Sequence, residues 1–259
     1  MLERIARAKL VVPALLSLLG LMVLIGLGTW QLQRRAWKDT IIATLKARSG
    51  APAITATASW PGLPCHDLKD TGLANPCEYQ PVIVRGTFDH ARERHIFTAA
   101  PNAPGIGPGR GFWVFTPMKL EGAGKTVFVN RGFVPEALKE AGKRVVGQTT
   151  QAVEITGLYR SVQTRGWFDG ENDAARNIWY VRAPSEMWPV DPAGGVLDEM
   201  WAYVDATGPV PAGEWPLPLG GRVELANRHL EYAITWFGLA ATLAGIFGAF
   251  AWGRIKGGQ

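Results

Sequence analysis

Two uncharged apolar runs, one near each end, constrain this chain more than any other feature. Residues 10–28 and 233–252 carry no charged side chain. As helices rising about 1.5 Å per residue, each is long enough to cross the roughly 30 Å of hydrocarbon in a bilayer. In lipid the backbone has no water to bond, so such a run must satisfy its N–H and C=O groups within itself, as helix. The segment between them has the mixed composition of a folded domain. The chain thus reads as a hairpin of two spans holding one extramembrane domain, divided as 1–38, 39–224 and 225–259.

The net charge of +5 does not signal a nucleic-acid partner. Residues 39–221 hold 17 basic and 19 acidic side chains, so the excess sits beside the apolar runs, where anionic lipid attracts it. No basic groove is implied. Arg4, Arg7, Lys9, Arg254 and Lys256 on one side balance Arg34, Arg35, Lys38, Arg222 and Arg228 on the other, so the positive-inside rule does not choose an orientation. Short tails inside with a large domain outside is the usual arrangement of a signal anchor. Cys65 and Cys77, the only cysteines, suit a local disulfide in an oxidising compartment. The first run has no small-x-small cleavage site after it and only nine residues before it. It reads as the uncleaved anchor of a multi-pass protein of a bacterial inner membrane, with both termini cytoplasmic and the domain periplasmic.

Past the first run, "DTIIATLKAR" has helical apolar spacing with Asp39 as N-cap. Residues 51–76, rich in Pro, Ala, Thr and Gly, read as loop. Segments 79–88, 110–120, 125–134, 151–160, 177–182 and 201–207 are short, β-branched and aromatic, the signature of strands. "EGAGK" links two of them as a hairpin, and "PEALKEAGK" reads as a short helix with Pro at its start. The expected fold is two transmembrane helices flanking a mainly antiparallel β domain, barrel- or sandwich-like and α+β, outside the cytoplasm.

Motifs of soluble enzymes are absent: no Walker loop, no G-x-S-x-G, no H-E-x-x-H and no C-x-x-C. "GIGPGRG" lacks the Lys-Ser/Thr of a phosphate loop and reads as a connector. Cys65-His66 with Cys77 offers a soft-metal alternative to the disulfide. His90 and His95 flank the charged "DHARERH" and read as solvated.

His229 stands four residues before the second apolar run, with Tyr232, Ala233 and Trp236 on its own helical face. A neutral imidazole there is a competent axial ligand for haem iron; the alternative is an interfacial histidine bonded to lipid headgroups. In an antiparallel hairpin the outer end of the first span, "TWQLQRR", lies at the same depth, bringing Trp30, Gln31, Arg34 and Arg35 near His229. A tetrapyrrole needs apolar flanks, an iron ligand and cations for its propionates. An aromatic belt with snorkelling arginines is the competing account of the same residues. Small residues on the second span (Ala240, Ala244 and Gly248, with Gly238, Ala241 and Gly245) permit close packing against the first span or a partner's helices.

"GTWQLQRRAWK", "YQPVIVRGTFDH", "VFVNRGFVP", "NIWYVR" and "NRHLEYAITWFGLA", in this order and framed by two spans, resemble the surfeit-locus (Surf/Shy) family over nearly the whole chain. Phe133 stands where the family often has Trp, and "GENDAARN" lacks a proline common in that loop. The resemblance implies a chaperone without turnover for cytochrome c oxidase biogenesis. Its cofactor would be haem a, bound through His229 with Trp30, Gln31, Arg34, Arg35, Tyr232 and Trp236 around it. Its partners would be the oxidase catalytic subunit, the haem a synthase as a further candidate, and membrane lipid, with no nucleic acid. A haem-independent scaffold holding an oxidase assembly intermediate is the alternative. A two-span sensor is a remote one, since seven residues follow Trp252.

Overall fold

The structure is a computed structural model that describes residues 10–55, 75–101, 103–122, 124–188, 202–208, 214–220 and 227–256. Arg4, Arg7, Lys9, Cys65, His66 and Arg222 lie outside the described residues. The elements are α1 (Val11–Ser49), β1 (Ile54–Thr55), β2 (Pro81–Phe88), β3 (Arg94–Ala99), β4 (Arg110–Leu120), β5 (Thr126–Pro135), β6 (Val153–Ser161), α2 (Pro184–Met187), β7 (Ala202–Ala206) and α3 (His229–Lys256). They fall into two compact units, Met1–Ala43 with Leu225–Gln259, and Thr44–Glu224.

In the first unit, α1 and α3 are both long and apolar enough to cross a membrane. Their apolar side chains point outward: Leu16 is 65% and Ile234 63% exposed. That suits surroundings of lipid rather than water. The expected fresh helix start at Asp39 does not occur. Nothing between Gly28 and Asp39 breaks a helix, and Gln, Arg, Leu, Ala and Lys all propagate one, so α1 runs on to Ser49. The two helices touch where a side chain is missing. A Cβ built on the buried Gly28 would lie 2.6 Å from the Phe237 ring, and one on Gly20 would lie 3.0 Å from Leu243. Ala233 and Ala240, two turns apart, are the buried positions of α3. The rest of the small-residue ladder does not join α1: Cβ atoms added at Gly238, Gly245 or Gly248 would meet nothing within 4 Å, and Ala244 is exposed.

The second unit is built on one seven-stranded sheet in the order β1-β2-β6-β7-β5-β4-β3. It is a curled α+β sheet in which the β2–β4 pairing joins β2, β6, β7, β5 and β4 in a ring, with β1 and β3 outside it, and it is mixed: β1–β2 and β5–β7 run parallel, the other pairs antiparallel. The "EGAGK" hairpin joins β4 to β5 as expected, with Lys119 opposite Thr126. The curl comes from β2, which pairs with β6 over most of its length and with β4 at residues 86–88. Gly86 permits it, since a Cβ there would sit 2.1 Å from the Lys119 carbonyl oxygen.

Period-two alternation sends one set of side chains to each face. Val127 and Val129 of β5 and Val204 of β7 join Val82, Val84, Met118 and Tyr159 in one core. Phe128 and Tyr203 turn the other way, into a second core with Phe115, Phe133, Trp179 and Trp188. With both faces covered, β7 is buried at every residue.

Three local expectations fail. Residues 177–182 form no strand; they carry single bridges from Trp179 to Ile96 and from Ile178 to Asp173. The expected helix at 135–143 is two 3₁₀ turns, Glu136–Leu138 and Ala141–Lys143; nine residues with Gly at the eighth are too few to sustain an α-helix on local bonds. The charged run after Asp89 is a 3₁₀ turn followed by β3, a strand the sequence reading missed.

Candidate functional site

His229 is the first residue of α3, and its Nδ1 lies 2.7 Å from Gln31 Oε1 on α1. An amide oxygen only accepts, so the imidazole donates from Nδ1 and keeps its lone pair on Nε2. Beside this pair, Asn227 donates to Asp39 Oδ1 at 2.7 Å and to the Arg35 carbonyl at 3.4 Å, which fastens the chain entering α3 to α1. Asp39, expected as a helix cap, instead serves this clamp and pairs with Arg35 at 3.6 Å. Arg34 stacks on Trp37 at 3.8 Å and, among the described residues, has no carboxylate partner. Trp30 and Tyr232 are 53% and 55% exposed, and Trp236 is half-buried.

The structure therefore brings His229 and Gln31 together, commits Arg35 to Asp39, and leaves Arg34 the better placed cation for an added anion. An imidazole, a guanidinium and exposed aromatic faces are groups that would hold a metalloporphyrin with carboxylate arms, the imidazole nitrogen toward its metal, the guanidinium toward its carboxylates and the rings against its apolar faces.

The β domain holds a second polar constellation. Glu93, just before β3, and His95, its second residue, are 4% and 6% exposed, so the expectation of a solvated turn is wrong for His95. Strand alternation turns both inward while Arg94 points away. Glu93 Oε1 accepts from Arg144 Nη2 at 2.5 Å and from His95 Nε2 at 2.6 Å. Arg131 Nη1 lies 3.6 Å from Glu93 Oε2. Burial alone would raise the Glu93 carboxyl, but the bonds from His95 and Arg144 outweigh it and hold it down at about 2. Asn177 donates to the Glu93 carbonyl and His95 Nδ1 and accepts from Trp179 Nε1. The "NIW" stretch is thus a bracket for this network, not a strand. His90 is half-buried, with Nε2 donating to the Thr149 carbonyl at 2.8 Å. Its pKa is lowered, chiefly by burial and, against the Thr149 bond, by Arg131.

Sequence reasoning missed Glu93 because a dense charged run reads as solvent-facing, and missed Arg131, Arg144 and Asn177 because the partner that gives them a role is distant in the chain. The available signal was the alternation Glu93-x-His95-x-Phe97 running into "HIFTA". Cys77 is disulfide-bonded, which removes its thiol as a soft-metal ligand.

Comparison with known proteins matches residues 18–241 to the model of the SURF1 family. Surfeit locus protein 1 of Xenopus tropicalis is 36% identical over 83% of this chain and 68% of its own length. The protein of that name from Homo sapiens is 35% identical over 83% and 70%. A SURF1-like protein of Monosiga brevicollis is 35% identical over 92% and 85%. With two membrane-span-like helices flanking a curled β domain in the sequence and this agreement over most of its length, the chain belongs to the SURF1 family, known as cytochrome c oxidase assembly factors.

Proposed function

We propose that this protein assists oxidase assembly by holding haem a beside the membrane, through Nε2 of His229, and presenting it to the oxidase catalytic subunit. Haem, when bound, would supply an iron that accepts a nitrogen ligand. The observation that carries the reading is the 2.7 Å bond from His229 Nδ1 to Gln31. A ligating histidine characteristically donates its second N–H to a fixed acceptor, which sets the tautomer and the ring's orientation. Arg34 is the cation offered to a propionate, with Arg35 a weaker second because Asp39 already holds it. Trp30, Tyr232 and Trp236 flank the site.

The role is stoichiometric binding and release, not turnover, with the catalytic subunit and the haem a synthase as partners. The disulfide at Cys77 supports a β domain on an oxidising side of the membrane, for which the periplasmic side of a bacterial inner membrane is our assignment.

The test is the visible spectrum of full-length protein purified from cells making haem a. Wild type should carry haem a absorbance and His229→Ala should lose it. Gln31→Leu should retain haem more weakly, by roughly 10- to 100-fold in affinity. Equal colour in all three proteins, or none in any, refutes the ligand assignment.

A second reading has its own observation: Gly238, Ala244, Gly245 and Gly248 of α3 face away from α1, as a surface for a partner's helix would. It requires that bulky residues there abolish oxidase assembly while His229→Ala does not.

A further inference from the structure

The β domain contains a cavity of about 650 Å³ lined by Phe88, Arg131, Ile155, Trp215, Pro216 and Pro218 among others. That volume is in the range of small-molecule sites, roughly 300–1,000 Å³. Its walls are mixed, the apolar side chains standing beside Thr149, Thr156, Thr207, Glu154 and Glu214. Among the described residues its one cation is Arg131, whose side chain is only 11% exposed.

Among the described residues, Arg131 is short of negative charge. It shares a single carboxylate, Glu93, with Arg144 and His95, and it is the most distant of the three, at 3.6 Å against 2.5 and 2.6 Å. Its other contacts are neutral. Nη2 donates to the Gly147 carbonyl, Nη1 faces His90 Nδ1 at 3.4 Å, and the guanidinium lies 5.0 Å above the Phe88 ring. Two guanidiniums share the one carboxylate of Glu93, so positive charge is in excess locally, at the Arg131 guanidinium. Glu154 and Glu214 also line the cavity, but among the described residues neither forms an ion pair with Arg131. Burial, ahead of the opposing pull of Glu93, lowers the guanidinium to about 10, in keeping with a cation that is incompletely compensated. Next to Arg131's acceptor, Gln148 buries both atoms of its side-chain amide without a hydrogen-bond partner. The segment beside the cavity is thus also unsatisfied.

We propose that this cavity is a binding site for a small organic monocarboxylate with an apolar body. The carboxylate completes the charge of Arg131 through charge-assisted hydrogen bonds, and the body packs against Ile155, Trp215 and the two prolines. Glu154 and Glu214 repel a second negative charge, which selects monoanions over dianions. The site lies within the β domain and does not depend on haem binding at His229.

The experiment is calorimetric titration of full-length protein in lipid nanodiscs with 4-phenylbutyrate, with 4-phenylbutyramide and a dicarboxylate of similar length, and with empty nanodiscs as blank. Saturable one-to-one binding of the monocarboxylate is expected, with at least tenfold weaker binding of the other two. Arg131→Gln should weaken binding roughly 10- to 100-fold. Should that variant fail to fold, Thr156→Trp decides: Thr156 is exposed and lines the cavity, so the indole fills the site without touching the charge network and should abolish binding. No saturable binding to wild type, equal binding of the amide, or undiminished binding to Thr156→Trp overturns the proposal.

Discussion

Acidification should loosen the β domain through one carboxylate. In the fold Glu93 titrates at about 2, against 4.5 for an unperturbed glutamate. The folded state therefore binds that proton more weakly than the unfolded chain does. A group depressed in this way stabilises the fold fully above about 4.5, and its contribution falls away as pH drops from 4.5 towards 2. At about 1.4 kcal/mol per pH unit, the gap is worth about 3 kcal/mol. Removing the charge by Glu93→Gln strands Arg131 and Arg144 beside a neutral amide, where loss of one partner of a buried pair costs about 3–5 kcal/mol. The assay is denaturant unfolding of the full chain in detergent at pH 7, 5, 4 and 3, followed by tryptophan fluorescence, for wild type and Glu93→Gln. Other carboxylates titrate in both proteins, so the difference between them isolates Glu93. It should be largest at pH 7 and shrink by about 2 kcal/mol at pH 3. A difference independent of pH, or under about 1 kcal/mol at pH 7, would refute the assignment of Glu93 as an ionised buried anchor.

Two further outcomes follow from contacts elsewhere. Gly28→Ala puts a methyl group 2.6 Å from the Phe237 ring, which should destabilise the α1–α3 pair by about 1–3 kcal/mol; Phe237→Leu in the same chain should recover most of that loss, read from thermal unfolding or from spin-label distances between the helices. Arg160 bonds Glu78 at 2.7 Å and Asp205 at 3.3 Å, so Arg160→Met leaves both carboxylates uncompensated and should lower β-domain stability by about 3–5 kcal/mol. A change within 0.5 kcal/mol would mean that water already compensates the two acids.

The two spans were legible in the sequence because they rest on a local property. A run without charge and with membrane length has few other folds open to it, and α1 and α3 contain residues 11–28 and 233–252. Strands β2, β4, β5, β6 and β7 were legible for the same kind of reason, as β-branched and aromatic alternation cut by Gly and Pro. The joint motifs "TWQLQRR" and "NRHLEY" were visible as a charge and aromatic density beyond what an anchor needs.

Only the tertiary structure decided what those local pieces do to one another. Parallel pairing of β5 with β7 and the return of β2 onto β4 at Gly86 are long-range choices with no trace in local periodicity. The burial of Glu93 and His95 depends on Arg144, 51 residues beyond Glu93 in the chain, whose charge makes an inward carboxylate affordable. Asn177 looked like part of a strand until its amide was seen bridging Glu93 and His95. At the helix pair, sequence put Gln31 and His229 at one depth, but the hydrogen bond that fixes which imidazole nitrogen keeps its lone pair depends on helix rotation. That rotation is set by Gly28 admitting Phe237, because helices lacking a hydrophobic drive toward each other in lipid take their register from close packing.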